Sequence, residues 1–99
     1  MNNYTEIVEN NIERIVKENR TWTEGDFFAS LKDYCQEKFT SSELTEVDRM
    51  VAKMNFNGDI WELTEVIADF FSKKIAPPSP ETVAHLVIYI FYKENLKLL

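Results

Sequence analysis

Apolar residues fall three and four apart through most of this chain, the spacing of helices that bury one stripe. From Tyr4 to Asn19, the residues Tyr4, Ile7, Val8, Ile12, Ile15 and Val16 share a face, while Glu6, Glu9, Glu13 and Lys17 lie elsewhere on the cylinder. Asn3 followed by Glu6 supplies a start signal. A second helix is expected over 24–38, on Phe27, Phe28, Leu31, Tyr34 and Cys35, with Phe39 just past its end. Thr23 reads as its N-cap, Glu24 and Asp26 suit the helix dipole, and Trp22 with Phe27 occupies the two positions of a hydrophobic staple.

Thr40 and Glu43 form a capping box ahead of a third helix, expected over about 43–55, with Leu44, Val47, Met50, Val51 and Met54 on one face. Asn55-Phe56-Asn57-Gly58 ends it with turn chemistry, Asn57-Gly58 being the strong breaker because both residues tolerate positive φ. Asp59 caps a fourth helix over about 60–74, with Glu62 at the N3 position. Its apolar face is Ile60, Leu63, Ile67, Phe70 and Phe71, and Lys73 and Lys74 follow at its negative end. Ala76-Pro77-Pro78-Ser79 is a stiff linker, since proline fixes φ and disfavours helix in the residue before it. Ser79 as N-cap with Pro80 at the first helical position opens a fifth helix over about 80–96. There, Val83 to Tyr92 is apolar almost all round. That pattern fits either a helix at the centre of the core or one half buried against another molecule. Tyr89 and Tyr92, one turn apart, extend the core or face a partner. The expected fold is an all-α bundle of about five helices in a single domain spanning 1–99.

Length and composition agree with that fold. A chain of 99 residues buries about two-thirds of its unfolded surface without metal or disulfide support. Two Gly and three Pro are too few for a meander or barrel. Charge changes the picture more. Seventeen acids against eleven bases give net −6, which disfavours direct nucleic-acid binding and favours a basic partner. Residues 58–72 carry four acids and no base. At about 100° per residue, Glu62, Glu65 and Asp69 share a narrow arc of the fourth helix, with Asp59 at its start. Trp61 stands beside that arc, outside the core stripe. An aromatic ringed by carboxylates fits an interface anchor whose removal costs about 2 kcal/mol. The plainer alternative is a solvated acidic face with Trp61 packed under a neighbouring helix.

Catalytic chemistry finds no pattern to occupy. One Cys and one His cannot build a tetrahedral zinc site without heavy carboxylate use. No phosphate-binding glycine loop, nucleophile elbow or calcium loop is present. Cys35 reads as a buried inert thiol and His85 as a partly exposed structural residue. No cofactor or metal is expected, and no enzymatic activity. The N-terminus lacks the basic-then-apolar pattern of a signal peptide, and the longest apolar stretch is about half a membrane span, so a soluble intracellular protein is expected.

Two stretches carry a resemblance. Thr23-Glu24-Gly25-Asp26-Phe27-Phe28 with Cys35 eight residues after Phe27 resembles the first-helix region of the colicin/pyocin nuclease-immunity proteins, and Thr40 to Glu43 and Ser79 to Val83 resemble later helix starts of that family. Leu31 to Glu37, the Ser/Thr-rich start that follows, and Met54 with Asp59 to Leu63 resemble the small helical immunity proteins of Maf-type and related polymorphic toxins. Either resemblance spans about 60 residues. The chain departs from the colicin type in its extra N-terminal helix and in having Trp61 and Glu62 where that family has a Tyr-Tyr pair. The resemblance implies a cytoplasmic protein that blocks one cognate basic toxin, often a nuclease. It carries over two residues: Glu43 at the acid opening the second family helix, and Asp59 at the acid of the Gly-Asp. Together with the charge pattern, Glu43, Asp59, Trp61, Glu62, Glu65 and Asp69 become the expected partner-binding residues. Two rival readings remain: a phage or plasmid regulator that inhibits a DNA-binding or defence enzyme by charge mimicry, and a structural homodimer joined through the Val83–Tyr92 helix.

Overall fold

A computed structural model describes residues 3–19 and 24–98. Thr23 and Trp22, the expected cap and staple, lie outside the described residues. The chain is an all-α bundle of five helices: α1 (Asn3–Glu18), α2 (Glu24–Lys38), α3 (Ser41–Lys53), α4 (Ile60–Ser72) and α5 (Pro80–Leu98). No strand occurs among the described residues.

Local chemistry sets the helix starts. The Thr40 amide donates to Glu43 Oε1 at 2.9 Å and the Glu43 amide donates to Thr40 Oγ1 at 3.1 Å, so both halves of the capping box form. With Thr40 as cap, α3 begins at Ser41, two residues before the expected start. Asp59 Oδ1 accepts from the Trp61 amide at 2.9 Å. Ser79 Oγ accepts from the Thr82 amide at 3.2 Å and places Pro80 first in α5, where its missing N–H costs nothing. The turn between α3 and α4 differs from expectation. Positive φ falls on Asn55 (53°) and Gly58 (100°). Asn57 instead accepts the Asp59 amide through Oδ1 at 3.2 Å, a side-chain turn that leads into the cap.

Packing settles the position of α5. It lies against α1, α2 and α4; α1 also packs on α4, and α3 on α4. Three neighbours explain an apolar pattern with no polar stripe: Val83, Ala84, Leu86, Val87, Ile88 and Ile90 are all buried. Tyr89 and Tyr92 are half-buried, against Phe28 at 5.3 Å and Phe27 at 5.8 Å respectively. Leu63, Ile67 and Phe71 of α4 join the core, with Phe71 against Phe39 at 5.2 Å. Thr64 is buried as well. Its hydroxyl donates to the Ile60 carbonyl at 2.7 Å, so no polar atom is stranded. On α1, only Val8, Ile12 and Ile15 are buried. Ile7 (47 % exposed) and Val16 (41 %) stay at the surface, although the spacing assigns them to the apolar face. The Cα radius of gyration, 12.7 Å, is that of a packed chain of this length.

Two long-range contacts tie the Pro linker and α5 to the rest. Tyr4 donates its hydroxyl to the Pro78 carbonyl at 2.6 Å, and burial pushes its pKa up to about 12. His85 is half-buried, stacks on Tyr34 with ring centroids 4.1 Å apart, and donates from Nδ1 to the Glu81 carbonyl at 2.7 Å.

Candidate functional site

The six expected partner-binding residues do not form one site. Glu43 and Asp59 are occupied as helix caps, by the hydrogen bonds given above. Their carboxylates are committed to backbone amides, so their first role is to start α3 and α4. Glu62 is exposed on α4 and lines neither of the grooves described below. Asp69 is not uncompensated as the charge count implies: Lys73 Nζ lies 3.0 Å from its Oδ2, one turn on. Both side chains are more than half exposed, so the pair adds at most about 1 kcal/mol.

Glu65 and Asp69 do come together with residues the sequence leaves unconnected. They line a groove of about 990 Å³ whose opposite wall is Thr5, Glu6 and Glu9 of α1. Met50, Val66 and Phe70 supply its apolar lining, and Lys73 and Lys74 stand at one end. Lys74 Nζ sits 4.6 Å from the Phe70 ring centroid, a cation–π contact. Four carboxylates from two helices thus border one apolar trough. Glu6 and Glu9 were visible only as polar positions of α1. Nothing local shows that α1 lies beside α4, about sixty residues later.

Trp61 belongs to a second groove, of about 520 Å³, with Ile12, Val16 and Ile60. Ile88, Phe91 and Tyr92 of α5 complete its apolar surface, and Glu13 and Lys17 flank it on α1. Trp61 is 40 % exposed, so it stands at the rim and is not packed under a neighbouring helix. The first groove uses the N-terminal half of α1 with the C-terminal half of α4, and the second uses the opposite halves. The two helices therefore run antiparallel along one seam, acidic at one end and aromatic at the other.

The remaining reactive groups are quiet. Cys35 is fully buried, and burial pushes its thiol pKa up to about 12, far from the thiolate needed for nucleophilic chemistry at neutral pH. Among the described residues, no group of three or more His, Cys, Asp or Glu is placed to hold a metal ion, and no helix is long and apolar enough to cross a membrane. Comparison with protein-family models, curated proteins and solved structures gave no match.

Proposed function

We propose that this protein is an immunity-type inhibitor that binds and blocks a basic toxin, a nuclease by the family resemblance, and acts in the cytoplasm without cofactor or catalysis of its own. The observation that supports this reading is the first groove. Glu6 and Glu9 from α1 face Glu65 and Asp69 from α4 across an apolar lining. Carboxylates around an apolar centre suit a surface built to hold the phosphates of a nucleic acid, because complementary charge steers encounter and rejects wrong partners. Glu65 and Asp69 keep the role the sequence suggests, and Glu6 and Glu9 join them.

The test uses the tagged protein and a Glu9→Lys/Glu65→Lys variant as parallel baits in native lysate, at moderate and high salt. Wild type should retain one basic protein in stoichiometric amount, with weaker capture at high salt, and the variant should lose it. Adding the inhibitor back to the captured protein should extinguish that protein's activity at one equivalent. Equal recovery on both baits, or an activity untouched at saturation, overturns the proposal.

A further inference from the structure

We propose that the aromatic end of the α1–α4 seam is where two copies of this chain meet, α1 against α1 about a two-fold axis level with Ile15. The second groove is open at the surface and lined mainly by apolar side chains. Two of its walls, Val16 and Trp61, are 41 % and 40 % exposed. Leu96, 56 % exposed, continues the same edge one turn beyond Tyr92 on α5.

Charge selects a second copy as the occupant. Glu13 and Lys17 flank the groove one turn apart on α1, in the order that favours an ion pair within a helix. Neither takes part in a salt bridge among the described residues, whereas Arg14 between them reaches Glu18 at 3.3 Å and Glu81 at 3.4 Å on another face. An antiparallel α1 from a second copy, centred level with Ile15, sets Glu13 opposite the other copy's Lys17 and Lys17 opposite its Glu13. One symmetry operator supplies both pairs, the reciprocal pattern of an isologous interface. The same arrangement presents each Val16 to the other copy's groove beside Trp61. Only the C-terminal halves of the α1 helices overlap, so Glu6 and Glu9 lie outside the contact. The acidic groove stays open at each end, and the dimer does not depend on the inhibitor reading.

Sedimentation equilibrium of the full chain over a wide concentration range tests this. Wild type should show a reversible monomer–dimer equilibrium. Glu13→Lys alone and Lys17→Glu alone should each weaken it at least about tenfold, because each turns two attractive pairs repulsive. The double swap Glu13→Lys/Lys17→Glu should restore dimerisation, and Trp61→Glu should abolish it. All three positions are exposed, so circular dichroism and the urea midpoint serve as checks that each of the four variants folds. A monomer at every concentration overturns the proposal. So does a dimer indifferent to the single swaps, or a folded double swap that stays monomeric.

Discussion

Helices α1 and α4 each have two stripes with opposite duties. One stripe, with Val8, Ile12 and Ile15 on α1 and Leu63, Ile67 and Phe71 on α4, is closed over by α5 and is almost free of solvent. The other borders the seam and carries Glu6, Glu9 and Val16 on α1 against Trp61, Glu65 and Asp69 on α4. The covered stripe has no charged residue. The seam stripe combines carboxylates, of which Asp69 pairs with the exposed Lys73, with Val16 and Trp61, left 41 % and 40 % exposed. The difference separates a stripe that holds the fold from one left open to solvent within a single helix pair: truncation on the covered stripe should unfold the protein, and on the seam it should leave the fold alone.

The sharpest way to break that comparison is Phe71→Ala. Phe71 is fully buried between Phe39 and Phe70, at ring distances of 5.2 and 5.0 Å. Its loss should cost about 3–5 kcal/mol, a large share of the roughly 5–15 kcal/mol that holds a domain folded. Urea unfolding would read this directly. A cost under about 1 kcal/mol would mean that α4 is not closed over by its neighbours.

The alkaline limb of stability gives a second, smaller effect on the covered side. The Cys35 thiol pKa rises from its ordinary 9.0 to about 12 on folding, and the Tyr4 phenol from 10.0 to about 12, both through burial. Raised folded values mean that the unfolded chain releases these protons first, so stability is intact below pH 9 and falls as pH climbs towards 12. One pH unit above the unfolded thiol value, Cys35 alone should remove about 1 kcal/mol. Cys35→Ala should flatten the loss between pH 9 and 10, where Tyr4, with an ordinary value of 10.0, contributes the smaller part. Urea midpoints across that interval in both proteins check it, and identical slopes would contradict the buried thiol.

How far these features can be read from the sequence depends on how local they are. The caps at Thr40, Asp59 and Ser79 are legible because donor and acceptor sit within three residues of each other. The five-helix architecture follows from periodicity for the same reason. Ile7 and Val16 mark the limit: spacing gives the centre of a stripe, whereas its width depends on how much a neighbour covers. The acidic groove was half legible. Glu65 and Asp69 announce themselves as an arc on one helix, but Glu6 and Glu9 become their counterparts only through the docking of α1 on α4. The aromatic groove needs α5 as well, since Phe91 and Tyr92 reach Trp61 only in the folded chain. The ambiguity of Val83 to Tyr92, core or interface, was one of tertiary neighbours: three packed helices bury most of the segment, while Phe91 and Tyr92 stay half-buried at the aromatic groove.

The smallest effect separates acids that build from acids that face outward, on one helix. Asp59 and Glu65 look equivalent in composition and lie six residues apart. Asp59 satisfies the Trp61 amide at the start of α4, an orphan donor no other group reaches, so Asp59→Ala should cost about 1 kcal/mol. Asp59→Asn keeps an oxygen at the same place and should stay within a few tenths of wild type, because Asn caps about as well as Asp. Glu65 lies beyond the first turn, is exposed, and shares its groove with Glu6, Glu9 and Asp69. Glu65→Ala removes like-charge repulsion and no structural hydrogen bond, so its effect should fall within about 0.5 kcal/mol of zero. Urea midpoints of the three variants give the order. If Glu65→Ala were as costly as Asp59→Ala, the seam carboxylates would belong to the scaffold, and the acidic groove would no longer be surface held in reserve for a partner.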